Sequence, residues 1–164
     1  TITLAATGSA SGTITKTPVA KIIDTDFPSM VGGFAAMDGY IFAMTSTGRI
    51  YNSDVNSVTS WTAQNYITAD ISTDKGLGVI KYKNHIIGYG NNSTEFFYNA
   101  GNSSGSILSS RKELFTQVGA YTSGSYKFIT QIFDDIYWIG NDLCLYTFEG
   151  LSPKNLRQQG MILG

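Results

Sequence analysis

Three stretches of this chain share one layout, and that repeat limits the possible fold more than any other feature. The first runs Phe34–Met37, Asp38-Gly39, Tyr40–Met44, the turn Thr45-Ser46-Thr47-Gly48, then Arg49–Tyr51. The second runs Val79–Tyr82, Lys83-Asn84, His85–Tyr89, Gly90–Ser93, then Glu95–Tyr98. The third runs Ile129–Phe133, Asp134-Asp135, Ile136–Ile139, Gly140–Asp142, then Leu143–Tyr146. Each reads strand, two-residue turn, strand, short turn, strand. Asp-Gly is the strongest short hairpin signal, because such a turn needs positive φ where only a few residue types are at ease. Lys-Asn and Asp-Asp stand in the matching places.

The turns at Asp38 and Lys83 lie 45 residues apart, and those at Lys83 and Asp134 lie 51 apart. A period of about 40 to 50 residues holding several strands is the mark of propeller blades. The central strands, Tyr40–Met44 and Ile136–Ile139, are nearly continuous apolar runs, as expected of strands covered on both faces. One blade cannot bury its own faces, so neighbours must stack around an axis. We therefore expect an all-β, partial β-propeller of about three to four antiparallel meander blades. Residues 1–33 form an N-terminal β-hairpin (Ile2 to Thr15, turning near Ser9 to Gly12) and a connection, and residues 34–164 form the blades as one continuous domain. A closed ring needs about four to eight blades. The remainder is expected from a longer polypeptide or another chain, in keeping with a start at Thr1 and a stop inside the apolar run Met161-Ile162-Leu163. A β-sandwich is the competing architecture, but it needs no repeat. The best helical pattern is Ser109 to Val118.

Composition narrows the function. Hydrophobic residues are 42% and aromatics 13%, enough for a real core, while charged residues are only 14%. Soluble domains carry roughly 25% charged residues. The surface must then be amide- and hydroxyl-rich, which suits permanent assembly or extracellular exposure. A net charge of -1 provides no basic surplus to hold nucleic acid.

No catalytic or cofactor constellation emerges. Cys144 is a single thiol in an apolar stretch and reads as a small buried hydrophobe. His85, the one histidine, opens a central strand and reads as a packing residue. Asp134 and Asp135 are adjacent turn residues, not the separated carboxylates a glycosidase needs. Arg49, Arg111 and Arg157 sit in unlike contexts, so no arginine triad for a sialidase substrate is expected. Asp24 and Asp26 flank Thr25 without a calcium loop after them, and Gly76-Leu77-Gly78 lacks the third glycine of a phosphate loop. We expect no metal and no cofactor. Ile50 to Trp61 resembles a degenerate Asp-box, a turn device of sialidase-like propellers. Glu95, an acid among aromatics, has two readings: an outward-facing residue, or a structural ion pair or inter-subunit contact.

Several of these residues also carry a resemblance. Asp38-Gly39-Tyr40, Gly48, Ser53-Asp54, Trp61, Ala69-Asp70, Asp74 and Gly76 are joined by Gly90-x-x-Ser93-Thr94-Glu95-Phe96-Phe97, Gly101 and Tyr137-Trp138-Ile139-Gly140. In order and spacing, from about Phe34 to Leu156, they resemble the packaged-DNA stabilisation family, the tail hub or nozzle proteins of short-tailed bacteriophages. The resemblance implies a non-enzymatic hub in the virion tail, present in host cytoplasm during assembly. It implies a homo-oligomeric ring, of six copies, that extends the DNA channel below the portal-adaptor and helps retain the genome. Implied partners are the adaptor, tail fibres or spikes, and DNA passing without sequence-specific binding. No membrane partner is expected. The alternative is a carbohydrate-binding, lectin-like propeller on a receptor-binding tail part. Trp61 and Trp138 bear on that choice, since both sit in core-like contexts rather than on a sugar platform.

Overall fold

The structure is a computed structural model that describes residues 2–5, 11–14, 22–123 and 126–158. It holds three four-stranded antiparallel sheets, each a meander in sequence order. Ahead of them, β1 (Ile2–Ala5) pairs with β2 (Ser11–Ile14) as a hairpin, with Ser11 opposite Ala5 and Gly12 opposite Leu4. Of the expected turn, Ser11 and Gly12 thus lie in β2, while Ser9 and Ala10 fall outside the described residues.

Blade one contains β3 (Met30–Met37), β4 (Tyr40–Thr45), β5 (Arg49–Ser53) and β6 (Trp61–Thr68). Blade two contains β7 (Gly76–Tyr82), β8 (His85–Gly90), β9 (Thr94–Asn99) and β10 (Leu108–Ser110). After the two-residue strands β11 (Thr122–Ser123) and β12 (Tyr126–Lys127) comes blade three: β13 (Ile129–Ile132), β14 (Asp135–Ile139), β15 (Leu145–Glu149) and β16 (Ser152–Asn155). The repeat is therefore real, with a fourth, outer strand in every unit.

Four local readings are corrected. The Ser109 to Val118 segment is not an α-helix. Leu108–Ser110 completes blade two by pairing with Phe97–Asn99, leaving only a 3-10 turn at Lys112–Leu114. Tertiary pairing overrides the weak local pattern. The third hairpin turn is Phe133-Asp134, and Asp135 already pairs with Ile132. Phe133 has φ +55°, as Asp38 (+54°) and Lys83 (+51°) do in their turns. Leu143 and Cys144 do not open β15. Leu143 is left-handed (φ +63°), its N–H donates to the Gly140 carbonyl, and Asp142 accepts the Cys144 N–H, so a tight loop extends to Cys144. Finally, β3 begins at Met30, ahead of the expected Phe34.

Two seams hold the blades together. The first joins Met37, Phe42, Met44 and Ile50 of blade one to Val79, Ile86 and Phe97 of blade two. The second joins Tyr82, Ile87, Tyr89 and Phe96 of blade two to Ile136, Trp138, Tyr146 and Phe148 of blade three. Alternation along β8 and β9 sends successive side chains into opposite seams. The inner strands meet backbone to backbone. A Cβ on Gly32 (φ +73°) would lie 2.6 Å from the Leu77 carbonyl oxygen and 2.7 Å from Gly78 Cα. Only glycine permits that approach at that φ. β3 and β7 both bulge at these glycines, which draws the sheets together along a common edge.

Candidate functional site

The Gly90–Phe97 motif forms the joint between blades one and two. The connection Ala69–Lys75 runs from β6 to β7 and needs partners for its backbone. Glu95 supplies them: its Oε1 accepts the Ile71 N–H at 3.1 Å and the Ser72 N–H at 3.5 Å. Asp74, at the end of that connection, accepts the Asn92 N–H at 2.6 Å and the Ser93 hydroxyl at 3.2 Å. Gly90 makes room, since a Cβ there would overlap the Asp74 carboxylate. Thr94 donates its hydroxyl to the Val118 carbonyl at 2.6 Å, tying in the following connection. Phe96 and Phe97 then fill the two seams, one each.

The outward-facing reading of Glu95 is overturned. The residue is 1% exposed, so it does not face outward, and among the described residues it makes no ion pair. Burial raises its carboxyl above the ordinary range, the Ser72 and Ile71 amides pull it back, and Asp70 and Asp74 add to the rise. Oε2 is buried without a described partner.

The Asp-box-like segment is a turn device as well. Asp54 accepts the Ser60 and Thr62 hydroxyls, and Ser57 Oγ accepts the Thr59 and Ser60 N–H groups. Trp61 is buried edge-on against Phe27, with ring centroids 5.1 Å apart. Asp24 and Asp26 accept the Trp61 and Ala63 N–H groups, so both carboxylates guard the start of the outer strand β6. The amides of Asp26 and Trp61 hold the Asp24 carboxyl below its ordinary range.

The remaining candidates stay apart. His85 is half-buried, edge-on to Phe96, and neither ring nitrogen has a described partner. Burial, with Arg111 nearby, lowers its basicity. Cys144 is half-buried beside Asp142, whose other oxygen accepts the Tyr146 hydroxyl. Arg49 lies over the Tyr66 ring on blade one, whereas Arg111 pairs with Glu113 on blade two. Trp138 is 1% exposed in the second seam. Among the described residues, no three His, Cys, Asp or Glu side chains gather into a metal-holding group.

Concave surface occurs where the hairpin turns of neighbouring blades meet. One cleft, about 970 Å³, lies between blades one and two and is lined by Asp38, Tyr40, Asn56, Lys81, Asn84 and Tyr98, among others. A second, about 610 Å³, lies between blades two and three, with Lys81, Lys83, Asp134 and Asp135 on its walls. Both are open, with polar and apolar side chains on their walls.

The architecture and the motif agree with a comparison against protein families. Residues 4–144 match the model described as Bacteriophage P22 Gp10, beta-propeller. The chain belongs to this family. No curated protein matches it. Membership in this phage stabilisation family makes the chain a β-propeller of the phage structural class, with a DNA-stabilising role. The match runs from Leu4 in β1 through β2, blades one and two, and blade three as far as Cys144.

Proposed function

We propose that the chain is part of a tail hub, or nozzle, which extends the DNA channel below the portal-adaptor and helps keep the packaged genome inside the particle. The observation that carries this reading is the family match across residues 4–144, laid over three blades stacked by two apolar seams. The proposed working form is a ring of copies, six in number, seated on the adaptor and offering its outer loops to fibres or spikes. The surface supports the proposal through what it lacks. With charged residues at 14% and a net charge of -1, phosphates gain little from contact, and DNA can move past without sticking. The outer loops carry exposed Asn and Ser instead (Asn92, Asn102-Ser103-Ser104), which suits wet, permanent contacts between proteins. In this role the chain performs no catalysis.

The test is genome retention. Particles assembled without this protein are expected to package DNA and then lose it, and purified protein added before release is expected to restore retention. Particles that hold their genome equally well without it would contradict the proposal.

A further inference from the structure

We propose that the cleft between blades one and two is a binding site for a saccharide that carries a carboxylate. Its volume, about 970 Å³, suits a ligand of a few sugar rings. Both blades contribute to its walls. Asn99 of blade two donates its side-chain N–H to Asp38 of blade one at 2.9 Å, across the seam. Asn56 is locked in a left-handed turn (φ +54°): its N–H donates to the Gly39 carbonyl at 2.7 Å, and its side chain lies over Gly39, where a Cβ would approach Oδ1 to 2.7 Å.

The chemistry of the lining points to the ligand class. Asn56 and Asn84 are exposed, and neither side-chain amide is engaged by another described group. Each amide offers a donor and an acceptor side by side, which matches neighbouring hydroxyls on a sugar ring. Half-buried Tyr40 gives aromatic surface against which the C–H face of a sugar can rest, while the Tyr98 ring carries the Arg111 guanidinium over it, 5.6 Å from the centroid. The two ion pairs among the described residues are Arg111–Glu113 and Lys154–Glu149, so Arg111 is engaged and Lys81 is the cation left for an anionic group. The cleft between blades two and three shares Lys81 but not the rest of this chemistry. It is smaller, its Lys83 donates to the Gly150 carbonyl, and it carries two carboxylates, Asp134 and Asp135, where the first cleft has the single carboxylate of Asp38, held by the Asn99 amide.

The test is an amide-resolved NMR titration of the chain with trigalacturonate, with maltotriose, sodium acetate and tetraglutamate as comparisons. Trigalacturonate is expected to give saturable shifts at the Asn56 and Asn84 side-chain amides. Asn56→Gly, which keeps the left-handed turn, and Asn84→Ala are each expected to weaken binding about tenfold. Lys81→Met is expected to bring trigalacturonate down to the affinity of maltotriose. Unchanged dispersion of the remaining amides shows that each variant is folded. The proposal is overturned by an absence of saturable shifts, by shifts that the Asn variants leave intact, or by acetate or tetraglutamate reproducing the response. Equal affinity of the unaltered chain for both trisaccharides also overturns it.

Discussion

Blade two and blade three are built on the same meander yet are solvated differently. In β8 every residue after His85 is buried, because blade one covers one face and blade three covers the other. In β14 the pattern alternates: Ile136 and Trp138 are fully buried in the second seam, while Tyr137 and Ile139 are half-buried on the far face. Ile132 (52% exposed) and Leu145 lie on that same far face. Apolar content alone does not decide burial. It is decided by whether another sheet is laid on the face. The seams differ too. The first mixes aliphatic and methionine side chains with Phe42 and Phe97, whereas the second is richer in aromatics, with Trp138 4.6 Å from Phe148 and 5.5 Å from Tyr89 between ring centroids.

The largest test of this contrast is a set of truncations. Trp138→Ala should destabilise the chain by about 3–5 kcal/mol, because the cavity opens in a packed seam. Tyr137→Ala, on the next residue of the same strand, should cost less than about 1 kcal/mol. In blade two, Ile86→Ala and Ile87→Ala face opposite seams, and each should cost about 2–5 kcal/mol. Urea unfolding of the four variants measures the contrast directly. Equal losses at Tyr137 and Trp138 would break it.

Two smaller effects should be stabilising. The Tyr89 hydroxyl is buried in the second seam with no described partner, and burial holds its proton well above the ordinary phenol range. Tyr89→Phe removes an unsatisfied group and should stabilise by about 1 kcal/mol. Phe133 is 93% exposed in a left-handed turn, where blade one has Asp38 and blade two has Lys83. Phe133→Asn should raise stability by about 1 kcal/mol, since asparagine tolerates that φ and little packing is lost. Thermal melts would show both gains, and a lowered Tm in either case would count against the reading.

The smallest effect is one of slope. Burial raises the Glu95 carboxyl above 4.5 in the folded chain, so the folded state holds this proton more tightly than the unfolded one. Its contribution to stability is full below 4.5 and is lost as pH rises through the folded value. Glu95→Gln should therefore gain on the unaltered chain as pH increases from 4 to 8. Parallel stability curves would contradict this.

Much of the fold was legible because the signals are local. Asp38-Gly39 announces a hairpin, and the spacing of its counterparts announces blades. The outer strands were hidden for different reasons. β6 lacks alternation, β10 is three residues long inside a helix-like stretch, and β16 contains Pro153. Phe133 was misplaced because nothing in an aromatic residue signals a left-handed turn. The role of Glu95 could not be read from sequence, since its amide partners lie 23 and 24 residues away and belong to backbone. The paired clefts were likewise illegible, because each is assembled from turns of two blades.

Radial stacking of separate sheets is tested most directly by side-chain nuclear Overhauser contacts. The account expects contacts from the Ile50 methyl to Gly88 across the first seam, and between the Tyr89 and Trp138 rings across the second. Cross-strand backbone contacts joining β6 to β7 and β10 to β13 in one continuous sheet, with those seam contacts missing, would contradict it.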